Sequence, residues 1–587
     1  MDAGDVALER AFQWGPLLAV IGVFAALVVF VYLFYKHTDA AAGMIPRESM
    51  DIAQIARNLS EGSGFVTHFV RPFNAALAGV GESSMVEVNH GPLYPCAVAV
   101  LFRARGSSGQ AVAWTSMLFL ILTAAGTFLL GRALFDWPAG LLAAVLFATS
   151  APVLTAGTSG GEWAMAALWF VLLLICVSRH HASAADGWTC AAWAALAGLA
   201  VSLLYMTHHV FIFAAVPAAV YFGLTGRARK LCLAAFLIAV VVAAAPWAWR
   251  NAVVTGAPVL GVNAWDLVAG TAIYPGDTFY RSTAAAGAGM SKALLFPLEH
   301  FPAFSEKLAR GLSDAVAALA AMMGLAGLPF AVVCTLYRFR SAEANAIRGL
   351  MYGMLPVALT AVALFRPDRE AVLLLCPPGF VLGAGYFLLL LNSRRLHPVY
   401  SRMIVGALVL VAAFPALVTI AWGTQAGKHD SSAERYFAHL GNRGVEHLIY
   451  TDVPWVAAWR TRCRAVWLPR SDQDVRVLES EGIPMQVVIL TPESASYGPD
   501  EAWYLLHRVK AWREYVRDPE AGVRQILKEA GLASADADGA DKFLRRVKRN
   551  FAVAESIAGF VSKAPSPDPL VPDDIQVLLS PELAPSR

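Results

Sequence analysis

The groups best suited to acid–base and electrostatic chemistry are concentrated between Tyr35 and Pro95, a stretch that opens HTDAAAGMIPRESMDIAQIARNLSEGSGF and closes EVNHGPLYP. Glu48 follows Pro46 and Arg47 and precedes the first apolar position of a helical pattern, so its carboxylate can take a proton from an incoming hydroxyl. Asp51 falls in the same first turn, where the helix dipole stabilises an acid, and capping competes with catalysis as its role. His90, with His68 and Arg71 upstream, can line the same cavity or serve as a polar contact. His208 and His209 are adjacent rather than at ligand spacing, so neither a metal site nor a cofactor is expected.

The elements that must position these groups are dictated by composition. The chain has 587 residues, of which 57% are apolar and 15% charged, and its mean hydropathy is +0.54. That is a polytopic membrane protein. The net charge of +3 and the short basic clusters between apolar runs do not indicate a nucleic-acid footprint. Seven cysteines without CxxC or Cys/His spacing suggest neither zinc nor a disulfide framework.

A membrane span needs about 20 apolar residues. Eleven are expected, near 15–35, 112–131, 138–157, 162–178, 188–206, 209–224, 231–249, 313–336, 349–365, 371–392 and 403–422. The first is too long for a signal-peptide core and reads as a retained anchor. Eleven cations fall in the five short connections on one side, Arg132 to Arg402, whereas those on the other side hold only Arg366 and Arg369. The positive-inside rule then makes the N-terminus cytoplasmic and the C-terminal tail extracytoplasmic. Pro152, Pro217, Pro246, Pro356, Pro377 and Pro378 predict broken or kinked helices around a cavity. DIAQIARNLSEG, with apolar residues at Ile52, Ile55 and Leu59, reads as an amphipathic helix along the membrane surface.

The expected fold class is mainly α: a transmembrane bundle over residues 1–424, including a first extracytoplasmic loop at 36–111, with a small α/β domain at 425–587. In that tail HLIYTDVP, RAVWLPR and MQVVILTP read as strands, and EAWYLLHRVKAWREYV and GVRQILKEAG as helices. TDVPWVAAWRTRCRAVWLP reads as strand–helix–strand with Arg460 and Arg462 on its face, and a Pro-rich end from about Lys563 is expected to be disordered.

The order of these motifs resembles the GT-C superfold of polyprenyl-phosphate-sugar-dependent glycosyltransferases, with protein O-mannosyltransferases and aminoarabinose transferases of lipid A as nearest relatives. The resemblance spans roughly residues 10–425. It is carried by an acid eight residues before the Ala of IARNL, by NHGPLYP, GRALFDWPAGLLAAVLFATSAP, TSGGEWAMAALWF, PWAWRNAVVTGAPVLG and RPDREAVLLLCPPGFVLGAG. It implies that Glu48 is the base that activates the acceptor. Ser49 stands where the family has a second acid and Ile52 where it often has Tyr, which keeps Asp51 and Asp39 as substitutes. It also implies a second acid at Glu162, for which a helix-start role is the alternative.

The implied donor is a sugar on a polyprenyl phosphate, whose leaving group gains negative charge that cations must meet. Arg250, Arg366 and Arg369 are placed for this, with snorkelling from helix ends, or neutralisation by Asp368 and Glu370, as the competing readings. The expected activity is inverting transfer of a hexosyl or pentosyl group to an extracytoplasmic lipid, glycan or protein, in a bacterial cytoplasmic membrane. The partners are then the lipid-linked donor, the acceptor and membrane lipids, without nucleic acid. The alternative is a transporter or polymer-assembly protein that binds the carrier without cleaving it. Such a protein has less reason for a long first loop and a one-sided tail, and the chain shows no matching halves. A purely tethering role leaves Glu48 and the arginines unexplained.

Overall fold

Long runs of Ala, Leu, Val and Phe form helices here because in lipid every backbone N–H and C=O must be satisfied within its own segment. In the computed structural model the described residues are 3–79, 85–183, 186–226, 228–365, 369–423, 432–443, 447–493 and 575–579. The helices in chain order begin α1 (Ala3–Tyr35), α2 (Arg47–Glu61), α3 (Pro72–Ala78), α4 (Leu93–Arg105), α5 (Gly109–Leu134), α6 (Trp137–Thr149) and α7 (Ala151–Thr158). They continue with α8 (Trp163–Ala182), α9 (Gly187–Thr207), α10 (Ala215–Leu224), α11 (Arg229–Thr255), α12 (Met290–Glu299) and α13 (Phe301–Leu336). The remainder are α14 (Ala342–Phe365), α15 (Cys376–Ser393), α16 (Pro398–Trp422), α17 (Ser432–Asn442), α18 (Pro454–Thr461) and α19 (Asp472–Ser480).

Two compact units result: the first from Met1–Ser49, Asn89–Asp266 and Phe301–His429, the second from Met50–Val88, Leu267–His300 and Asp430–Arg587. The region expected as a tail domain therefore shares its unit with two earlier segments of the chain.

In the first unit, nine helices among the described residues are long and apolar enough to cross a membrane, ten if α6 and α7 form one span bent by 68°. The break falls at Ser150, just before Pro152, as the prolines predict. The eleventh expected span, 209–224, is a 3-10 stretch followed by the ten-residue α10, shorter than a full crossing. GRALFDWPAG shows how the bundle is wound. Asp136 caps α6 by accepting from Ala139 N at 2.8 Å, Pro138 occupies the first turn, and Gly131 and Gly140 bring α5 and α6 together. A Cβ on Gly140 would lie 2.4 Å from the Phe128 carbonyl oxygen, so no larger residue fits that crossing.

The second unit is built on a sheet in the order β2 (Phe69–Val70), β5 (Ala465–Trp467), β4 (Ile449–Thr451), β6 (Val487–Leu490), β7 (Gln576–Leu579), while β1 (Val66–Thr67) and β3 (Met85–Val86) form a separate antiparallel ribbon. The first four strands run parallel and β7 is antiparallel to β6. The three strands expected from the tail are β4, β5 and β6, and the strand–helix–strand reading of 451–468 is observed as β4–α18–β5. Val70, Tyr450, Val466, Leu478 and Val488 fill the core. Arg281, fully buried, donates through Nε to the Leu468 carbonyl at 2.8 Å, and Asp474 accepts from the Thr283 backbone N–H at 2.6 Å, tying segment 267–300 to the sheet.

Two expectations need correction. Residues 576–579 of the segment expected to be disordered are a strand, because the apolar run Val577-Leu578-Leu579 completes the sheet against β6. The helix of 47–61 does not lie on a membrane surface with its polar side in water: Asp51, Gln54, Arg57 and Asn58 are at most 4% exposed. Its polar side is satisfied by protein instead. Gln54 donates to Thr67 Oγ1 at 2.7 Å, Arg57 to the carbonyls of Trp459 at 2.6 Å and Ala458 at 2.9 Å, and Asn58 to Val66 O at 2.9 Å. The helices expected at 501–530 lie outside the described residues.

Candidate functional site

At one end of the first unit, three short segments converge on Glu162. The turn before α8 is sharp because Gly160 adopts φ +87°, a conformation natural to glycine. Tyr94 Oη donates to the Gly160 carbonyl at 2.9 Å and Ser116 Oγ to that of Gly161 at 3.0 Å, so the turn is held from two sides. Glu162 then stands at the start of α8, 3% exposed, and its side chain makes no capping bond. Glu162 thus holds the N-cap position of α8, as the helix-start reading expects, and its carboxylate also lies 3.8 Å from His208 Nε2.

NHGPLYP supplies the second segment. A Cβ on Gly91 would come within 2.2 Å of the Met206 carbonyl oxygen and 2.7 Å of that of Thr207, so this loop rests backbone to backbone on the end of α9. That contact brings the charge of His90 close enough to act on His208. Burial, reinforced by His90, pushes His208 down to about 3, so at neutral pH its imidazole is uncharged and meets Glu162 as a polar neighbour. His208 stacks on His209 with ring centroids 4.5 Å apart and sits 5.2 Å from the ring of Trp163. Asn263 closes the third side. Its amide nitrogen donates to Asn89 O at 3.1 Å and lies 3.0 Å from His209 Nδ1; an amide nitrogen only donates, so Nδ1 accepts and the ring proton is on Nε2.

The cations are placed less uniformly. Arg369 is exposed and lies 3.6 Å from Asp314 Oδ2. Glu370, its sequence neighbour, accepts from Ser159 Oγ at 3.4 Å. Arg250, near the end of α11, lies over the Trp247 ring at 4.7 Å and donates to Asn251 Oδ1 at 3.3 Å. Arg366 lies outside the described residues. Among the described residues, no three His, Cys, Asp or Glu side chains are grouped to hold a metal ion.

Of the acids in the first loop, Glu48 is exposed in the first turn of α2 with Arg47 Nε at 3.7 Å, and Asp39 is exposed at the start of a short 3-10 helix, Asp39–Ala42. Asp51 belongs to the second unit. It is 3% exposed, accepts from Gln54 Nε2 at 3.1 Å and forms an ion pair of 2.5 Å with Arg71, which Glu87 also holds charged. His68, in the same unit, is pushed down to about 4 by burial and by Arg57, Arg464 and Arg462. The sequence carries no signal for Asn263, or for the pairing of Glu162 with a histidine 46 positions away; Tyr94 is visible only as part of the NHGPLYP run.

A bundle of membrane-length helices, broken where polar loops gather at one end, is the architecture of the GT-C superfold of membrane glycosyltransferases, and this chain has that fold. It is similar to the archaeal oligosaccharyltransferase AglB from Archaeoglobus fulgidus in complex with an inhibitory peptide and a dolichol-phosphate, with a TM-score of 0.53 and 13% identity over 81% of this chain and 70% of that one. It is similar also to ArnT from Cupriavidus metallidurans bound to undecaprenyl phosphate, with a TM-score of 0.51 and 12% identity over 82% of this chain and 94% of that one. No protein-family model and no curated protein sequence matches the chain.

Proposed function

We propose that the protein is a GT-C-type glycosyltransferase that moves a sugar from a polyprenyl-phosphate carrier to an extracytoplasmic acceptor, with its N-terminus in the cytoplasm of a bacterial cell and its C-terminal part outside. The observation that carries this reading is the fold, shared over 81% and 82% of the chain with two structures that each hold a polyprenyl phosphate. In a single in-line displacement the bond from the anomeric carbon to the phosphate oxygen breaks as the acceptor oxygen bonds to that carbon, which inverts the centre. Glu48 takes the acceptor's proton, and the phosphate departs with the bonding electrons.

Arg250, Arg366 and Arg369 supply the positive charge for the departing phosphate, Arg being suited by its planar fork. The partners described for Arg250, the Trp247 ring and Asn251, and for Arg369, an exposed aspartate, are exchanged for phosphate without exposing a buried charge. Glu162, set by its pinned turn beside neutral His208, orients a donor or acceptor hydroxyl, with His90 at the rim. Asp51 is assigned to holding α2, since its charge is already matched by Arg71.

The test is transfer of radiolabel from polyprenyl-phosphate sugars in membranes, with wild type and Glu48→Gln at equal expression. Removing a general base lowers a rate by about 10²–10⁴-fold, so the variant is expected to lose at least about 100-fold while still binding donor. Undiminished transfer assigns the base to Asp39 instead. Donor binding by the wild type without any transfer overturns the enzymatic reading.

A further inference from the structure

We propose that the first unit carries, at the end of the bundle opposite Glu162 and His208, a binding site for an anionic phospholipid. Antiparallel succession puts the end of α8, the end of α10 and the α13–α14 connection together, about 30 Å along α8 from Glu162 at 1.5 Å per residue. Between them is a cavity of about 970 Å³, at the upper end of the ~300–1,000 Å³ found for small-molecule sites.

The cavity has two chemically distinct halves. Its walls are apolar, with Val216, Val220 and Leu224 from α10 facing Leu350 and Val357 from α14. The three α10 side chains are 61%, 54% and 74% exposed, so this wall opens sideways, toward lipid rather than into protein. Its rim is basic: Arg338, Arg340 and Arg348, with His181. Arg348 is engaged with the carbonyls of Thr335 and Tyr337 and shapes the turn. Arg338 and Arg340 are exposed, and among the described residues neither has an acidic partner. The nearby acid Glu343 accepts from Ser341 Oγ at 3.0 Å.

Two guanidinium groups level with the helix ends, above a greasy slot open to the bilayer, match a phosphate headgroup with its acyl chain below. A soluble anion uses the rim alone and leaves the slot unfilled. The floor is the close approach of α14 to α10, where a Cβ on Gly353 would lie 3.3 Å from Pro217 Cβ.

Native mass spectrometry of the full-length protein released from vesicles of equal phosphatidylglycerol and phosphatidylcholine tests the assignment. Wild type is expected to retain phosphatidylglycerol about tenfold over phosphatidylcholine, and Arg338→Gln with Arg340→Gln to abolish the preference without unfolding, since both side chains are exposed. Gly353→Leu, which fills the floor, is expected to lose the retained lipid of either kind. Absence of preference in the wild type, its persistence in the double arginine variant, or full retention by Gly353→Leu each overturns the proposal. So does displacement of the lipid by millimolar inorganic phosphate, which would mark a site for soluble anions.

Discussion

Asp452 stands at the C-terminal end of β4, and the second unit holds it where a charge is unwelcome. Burial raises its pKa to about 6, although the Thr491 backbone N–H and the hydroxyls of Thr491 and Thr451 work against the shift. An unfolded aspartate ionises near pH 3.9. Between about pH 4 and 6 the folded chain therefore keeps a proton that the unfolded chain has released, and stability falls as pH rises through that window. His68 acts in the opposite sense. Its folded pKa of about 4 lies below the unfolded value, so its contribution rises with pH up to about 6.5. Asp452→Asn removes only the first effect. The unfolding free energy of the variant minus that of the wild type, measured by urea titration of the full chain in detergent, is expected to be about 2 kcal/mol more positive at pH 7 than at pH 4, at about 1.4 kcal/mol per pKa unit. A difference that stays flat with pH removes Asp452 from this role.

At the same scale, individual residues show how far the sequence can be read. The place of Glu48 in the first turn of a helix was legible from its neighbours, because helix start and Pro-Arg context are both local. The role of Asp51 was not. Its partner Arg71 is 20 positions away and across a change of secondary structure, so nothing within one helical turn distinguishes a buried ion pair from a capping acid. Removing one partner of such a pair costs about 3–5 kcal/mol, far more than the loss of a cap. The same distance hides the link between Glu162 and His208.

Among the elements, those with a strong period or a membrane-length apolar run were legible, and those defined by partners were not. The spans near 112–131, 162–178 and 403–422 appear as α5, extended at both ends, α8, extended at its C-terminal end, and α16, extended at its N-terminal end, because polar residues flanking a span continue its helix. β4, β5 and β6 carry apolar runs bounded by turn residues, whereas the two-residue β2 is a strand only because β5 offers an edge, and the short apolar run of β7 sits in a Pro-rich segment that gave no strand signal. The membrane-surface reading of α2 failed because an amphipathic pattern does not say whether its polar face meets water or the amides and carbonyls of a neighbour. The α5–α6 crossing gives an element-scale test. Gly140→Leu forces a side chain into the backbone of α5, where overpacking costs roughly 1–3 kcal/mol or more. A lower thermal midpoint in detergent, with less folded protein in the membrane, is the expected result; an unchanged midpoint contradicts the crossing.

For the whole molecule, composition pointed to a polytopic membrane protein, and motif order pointed to the fold that the structure has. The division into units was harder to see, since the second is assembled from three stretches separated by the helices of the first. Deleting residues 571–587 removes β7 and leaves the β6 edge with unpaired backbone groups. Such a chain is expected to insert normally yet show faster hydrogen exchange in β6, and protection equal to wild type would mean that β7 contributes nothing to the sheet.

The contact between Arg57 and the carbonyls of Ala458 and Trp459 spans 401 and 402 positions of chain. In terms of synthesis, the first loop leaves the ribosome long before the strands that will enclose it exist. At about 5–20 residues per second the interval is roughly 20–80 s. Throughout it Arg57 and the edge of β2 are without the helix and strand that later meet them. Biogenesis of this protein thus includes a waiting period in which the first loop must be kept from pairing elsewhere, and the synthesis of α18 and β5 ends it.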